Sequence, residues 1–124
     1  MMGPSLKILA VDDNPSIREV ISFIFADPHY EMTNVADGYK ALAEIDEYPS
    51  DYDIIIVDEK MPQMTGLELV HNIRERDIPA RIMVLSALLT PEVRQAYEDM
   101  GVQVILEKPF DVDALRLAVD RLAT

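Results

Sequence analysis

Four consecutive β-branched residues, Ile54-Ile55-Ile56-Val57, run between Asp53 and Asp58. A strand with one wet face alternates apolar and polar side chains. An unbroken apolar run of this kind belongs to a strand covered on both faces, as at the centre of a parallel sheet. Parallel neighbours cannot be joined by hairpins, so the rest of the chain must supply crossover helices.

It does so in regular alternation. Leu6–Val11 reads as a strand, and Asn14-Pro15 then pairs a cap with proline at the first helical position, before Ile17, Val20, Ile21, Ile24 and Phe25. Residues 31–35 form a weaker strand. Asp37-Gly38 opens a helix carrying Ala41, Leu42 and Ile45, and Asp53–Asp58 follows as the third strand. Thr65-Gly66 starts a helix with Leu67, Leu69, Val70 and Ile73, and residues 80–85 form a strand ending at Ser86. Thr90-Pro91 repeats the cap-then-proline signal for a helix that Gly101 closes in a left-handed conformation. Residues 102–106 give a fifth strand, and Asp111 caps a last helix through Leu122. The pattern is (βα)₅, an α/β doubly wound parallel sheet of five strands with right-handed crossovers and helices on both faces. Residues 1–5 read as a disordered leader and 6–124 as one domain.

Composition narrows the function. The formal net charge of the 124 residues is −12, which repels phosphate backbones and anionic lipid and disfavours direct contact with nucleic acid or membrane. No cysteine is present, so disulfides and thiolate chemistry are excluded and a reducing, cytoplasmic setting is expected. The first apolar run is too short for a signal-peptide core. His29 and His71 have no metal-ligand spacing and read as surface residues.

Ligands of open parallel sheets bind at the carboxyl ends of the strands. Those ends carry Asp12-Asp13, Asp58 and Ser86, with Lys108-Pro109 just past the fifth strand. Each has an ordinary explanation alone: an aspartate caps a helix, a serine makes a turn, a lysine is solvated. Their coincidence at one edge is the signal. Clustered carboxylates repel unless they bind a hard cation or take up protons. Mg²⁺ is held by a few carboxylates plus phosphate oxygens, and a carboxylate can attack phosphorus to give an aspartyl phosphate.

From Leu6 to Leu122 the chain resembles the receiver domains of two-component response regulators. The resemblance rests on Leu9-Ala10-Val11-Asp12-Asp13, Asp58 with Met61-Pro62-Gln63-Met64-Thr65-Gly66, Ser86-Ala87, and Lys108-Pro109-Phe110. It implies strand order 2-1-3-4-5, with Asp58 as phosphoacceptor and Gly66 as a structural residue of the following loop. It also implies a site for Mg²⁺, or Mn²⁺ in its place, built from Asp12, Asp13, Asp58 and the Lys60 backbone carbonyl. Lys108 is implied to pair with a phosphoryl oxygen, its peptide to Pro109 to be cis, and Ser86 to swing onto the phosphoryl group. A histidine kinase or phosphotransfer protein is the implied donor. The output is a target, output domain or second copy of the chain, bound through helix four, strand five and helix five. Catalysis is confined to the protein's own phosphorylation and dephosphorylation.

Three positions depart from the family. Ile105 stands where a Tyr or Phe usually acts as the switch, Lys60 puts a cation two residues past Asp58, and Ser86 replaces the commoner Thr. A phosphorylation-independent interaction module is the alternative, favoured only by Ile105. A haloacid-dehalogenase-type phosphatase would need a second Asp where Lys60 stands.

Overall fold

A computed structural model describes residues 5–123. Its strands are β1 (Leu6–Val11), β2 (Tyr30–Val35), β3 (Ile54–Asp58), β4 (Arg81–Ser86) and β5 (Val104–Glu107). Between and after them lie α1 (Pro15–Ile24), α2 (Gly38–Glu47), α3 (Gly66–Glu75), α4 (Pro91–Asp99) and α5 (Val112–Ala123). All pairings are parallel, in the order β2-β1-β3-β4-β5. This is the doubly wound architecture expected from the alternation.

The centre of the sheet explains the β-branched run. Every residue of β3 is buried, and successive side chains enter opposite layers. Ile55 and Val57 join Leu9, Val11, Ile82 and Val84 beneath α2, α3 and α4. Ile54 and Ile56 join Ile8, Ala10, Met83 and Leu85 beneath α1 and α5. Each such side chain contributes about 1.5–3 kcal/mol by leaving water, so the sheet edge carrying the aspartates sits on a rigid base.

Helix starts are set by side-chain caps. Asn14, Asp37, Thr90 and Asp111 accept from the backbone N–H of Ser16, Lys40, Val93 and Ala114. Thr65 and Glu68 form a reciprocal capping box. Gly101, at φ 78°, ends α4. The Gly101 N–H donates to the Glu98 carbonyl and the Val102 N–H to the Tyr97 carbonyl, a Schellman motif. That motif moves a boundary: the Val102 N–H is used in the cap, so β5 begins at Val104 and not at 102. Arg74 of α3 braces the same turn, donating to the carbonyls of Met100, Ile78, Ala80 and Gly101.

One reading of side-chain placement changes. Val20, assigned to the apolar face of α1, is 48% exposed, while Ile21 and Ile24 are buried. The expected leader lies outside the described residues except for Ser5, whose hydroxyl donates to the Pro28 carbonyl at 3.4 Å. Among the described residues no helix is long and apolar enough to cross a membrane.

Candidate functional site

The carboxyl ends of β1 and β3 lie side by side, because Val11 pairs with Val57. Asp12 and Asp58 therefore leave the sheet at the same level, with Asp13 next to them. Asp12 and Asp58 are buried, at 2% and 5% exposure, and Asp13 is exposed. Each of the three offers a carboxylate oxygen within 4.8 Å of the others. Two full charges at that distance repel by about 3 kcal/mol at an effective dielectric of ~20.

Lys108 is the cation that reaches a carboxylate of the cluster directly, and Arg18 adds a weaker attraction at Asp12. Lys108, in the loop after β5, donates from Nζ to Asp58 Oδ1 at 2.7 Å. Its position follows from the backbone, since the Lys108 N–H donates to the Ser86 carbonyl at 2.8 Å. The Lys108–Pro109 peptide is cis. Asp12 has partners on one side only. Its Oδ1 accepts from the Asn14 N–H at 2.9 Å, its backbone carbonyl accepts from Arg18 at 2.7 Å, and its Oδ2 is buried without a partner.

Burial, before any other cause, pushes both the Asp12 and Asp58 carboxyls above the ordinary carboxylate value. The Asn14 N–H opposes this at Asp12 and the Lys108 ammonium at Asp58, while neighbouring aspartates push the same way as burial. Three acids thus share one ammonium, and one buried oxygen is unanswered. An oxygen-only, net-negative donor set of this kind fits a hard divalent cation such as Mg²⁺.

The Lys60 side chain, Ser86 and Ile105 stand apart from that cluster. Lys60 is exposed and lines an open cleft with Met61, Leu67, Leu88 and Val93. Ser86 is buried at the end of β4, but its hydroxyl donates to Glu59 Oε2 at 2.7 Å and not to Asp58. Ile105 is half-buried against the layer under α2–α4. Gly66 holds the loop close. Its N–H donates to the Glu59 carbonyl at 2.8 Å, and a Cβ there would lie 2.7 Å from Glu59 Cα and 2.9 Å from the Asp58 carbonyl.

Two residues beside the site escaped the sequence reading, Glu59 and Tyr97. Tyr97, on α4, is completely buried, and its hydroxyl lies over Gly66. Burial first, and then the Glu59 charge, push its pKa well up. The Val93–Tyr97 spacing of four places both on the inner face of α4. Glu59 is found by register, since Asp58 pairs with Leu85 and the next positions are Glu59 and Ser86.

The family model for the response regulator receiver domain matches residues 8–120. The chain is 31% identical over 116 residues to sporulation initiation phosphotransferase F of Bacillus subtilis, covering 93% of this chain and 91% of that protein. Other curated relatives are longer, and the chain spans 30% of one and 43% of another. Among solved structures, the Vibrio cholerae chemotaxis protein CheY4 superposes with a TM-score of 0.87 at 36% identity, covering 95% of this chain and 98% of that one. CheY from Borrelia burgdorferi, in a complex described with CheX, BeF₃ and Mg²⁺, superposes with a TM-score of 0.89 at 27% identity over 98% and 92%.

Proposed function

The chain belongs to the response regulator receiver domain family, and on that premise we propose that Asp58 is the residue at which it takes up its phosphoryl group. Its function is that of a CheY-like phosphoaccepting switch of two-component signalling. The observation that carries the assignment is the pairing of a buried carboxylate, Asp58, with Lys108 at 2.7 Å inside the acidic cluster.

In the proposed step a carboxylate oxygen of Asp58 attacks phosphorus, the bond from phosphorus to the donor's leaving group breaks, and an acyl phosphate forms. Lys108 keeps its charge beside the new phosphoryl oxygens. Asp12, Asp13, Asp58 and the Lys60 carbonyl would hold Mg²⁺, which supplies positive charge to the phosphoryl oxygens when bound. Hydrolysis of the acyl phosphate returns the carboxylate, and no chemistry is assigned on any other molecule.

A histidine kinase or phosphotransfer protein in the cytoplasm is the proposed donor. The output surface is proposed to be α4–β5–α5, where Arg94 of α4 reaches Glu107 of β5 at 3.6 Å and Val112 and Leu117 of α5 are exposed. Phosphorylation biases an existing equilibrium between two arrangements of that face. The test is a Mg²⁺ titration followed by thermal unfolding, beside Asp13→Asn. A rise in Tm that saturates in the millimolar range and weakens in the variant is expected. No response to Mg²⁺ would leave only the interaction-module alternative.

A further inference from the structure

The Ser86 hydroxyl has one proton to give and two acceptors that want it. In the structure it goes to Glu59 Oε2, at 2.7 Å. A phosphoryl group on Asp58 is the other acceptor, and the two bonds exclude each other. We propose that Glu59 is a positioning residue that latches Ser86 away from Asp58, and that phosphorylation, by taking Ser86, hands the freed Glu59 carboxylate to Tyr97 on α4. This inference rests on the role of Asp58 given above.

Two orphaned atoms support the hand-over. Glu59 Oε1 and the Tyr97 hydroxyl are both buried, and neither has a partner at full hydrogen-bond geometry. They are complementary, because a carboxylate only accepts and a protonated phenol needs an acceptor. The Glu59 carboxylate already acts on the Tyr97 hydroxyl through its charge and a loose side-chain hydrogen bond, which stays short of full hydrogen-bond geometry while Oε2 is held by Ser86. Breaking the Ser86 bond lets the carboxylate turn and complete the bond to Tyr97. Room for Tyr97 to respond is small: a Cβ on Gly66 would come within 2.9 Å of its hydroxyl oxygen. Its carbonyl is also fixed in the Schellman cap of α4. A change at the Tyr97 ring is therefore passed to the helix. Ile105 packs on the same layer as Tyr97 but has no polar atom, so it cannot carry such a signal by hydrogen bonding.

The test uses beryllofluoride with Mg²⁺ as the phosphoryl mimic and two variants that both remove the Glu59 charge. Glu59→Gln keeps an acceptor oxygen for Ser86, whereas Glu59→Ala removes it. Beryllofluoride, titrated by ¹⁹F NMR, is expected to bind Glu59→Ala about fivefold more tightly than Glu59→Gln, the size of one net neutral hydrogen bond. That difference disappears when Ser86→Ala is added to both, as a double-mutant cycle requires. A second readout needs no Glu59 variant. In ¹³C-tyrosine-labelled wild type, the Cζ resonance assigned through Tyr97→Phe moves on beryllofluoride binding. Equal affinities of the two Glu59 variants, or bound ¹⁹F signals with an unmoved Tyr97 resonance, overturn the latch and leave the Asp58 reading standing. No bound ¹⁹F signal in wild type overturns both.

Discussion

Replacing Gly66 by alanine tests how closely the loop after β3 is pinned to the site. The added Cβ would stand 2.7 Å from Glu59 Cα, 2.9 Å from the Asp58 carbonyl oxygen and 2.9 Å from the Tyr97 hydroxyl. Ordinary contact between carbons begins near ~3.5 Å, so the backbone at Glu59 must open by about 0.8 Å. Two of the three obstacles are backbone, and the third is a ring with no exposure, so no flexible side chain can yield. Overpacking of that kind costs about 1–3 kcal/mol. With a urea m-value of about 1.5 kcal/mol per M, a loss of about 2 kcal/mol lowers the midpoint by roughly 1.3 M.

Gly38→Ala is the matched control. There the added Cβ meets only the side chain of Met64, which it approaches to 2.5 Å at Sδ. A thioether chain can move aside, and alanine gains helix propensity at the start of α2. Its midpoint should fall by less than half as much. Because the displaced segment carries Asp58, Gly66→Ala should also slow acyl phosphate formation from a small donor by about tenfold or more. A Gly66→Ala midpoint within about 0.3 M of wild type, or a larger loss in Gly38→Ala, refutes the close-approach reasoning.

Four further outcomes follow, three from the charge arrangement and one from the brace on α4. The Asp12 and Asp58 carboxyls are raised by burial, so the folded state binds more protons than the unfolded one, and Mg²⁺-free stability falls as pH rises from about 3.8 through the raised values. Asp12→Asn should therefore be the more stable protein at neutral pH in EDTA, with the gap closing toward acid; denaturant melts at several pH values measure this. Mg²⁺ at tenfold its Kd should add about 1.4 kcal/mol at neutral pH and little below the raised pKa values, which the same melts with Mg²⁺ check. Lys108→Ala leaves Asp58 without its ammonium and should cost about 1–3 kcal/mol in urea melts, partly recovered by Mg²⁺. Arg74→Met strips four backbone carbonyls of their donor and should cost about 2 kcal/mol, with faster hydrogen exchange at the α4–β5 turn.

What could be read from the sequence was whatever depends on local chemistry. The run from Ile54 to Val57, the caps at Asn14, Asp37, Thr65, Thr90 and Asp111, and Gly101 after α4 each announce their element through one side chain or one periodicity. Sheet order is a long-range property, and only the family resemblance supplied it. The convergence of Asp12, Asp13, Asp58 and Lys108 was legible because strand ends are legible. The Ser86–Glu59 bond was not, since it depends on which rotamer a hydroxyl takes between two acceptors across the β3–β4 register. Tyr97 was hidden in a mostly polar helix, and its burial in the core layer with α2 and α3 is a long-range property. The β5 start moved because a cap competed for the Val102 N–H, a contest that residue pattern alone does not decide.

The central claim is that Asp58 takes a phosphoryl group in a Mg²⁺-dependent reaction. Intact mass spectrometry after incubation with acetyl phosphate, with and without Mg²⁺ and beside Asp58→Ala, tests it most directly. One added phosphoryl group in wild type, lost in EDTA and absent from the variant, is the predicted result. An adduct that persists in Asp58→Ala, or none in wild type with Mg²⁺ even when a phosphorylated histidine donor replaces acetyl phosphate, would contradict it.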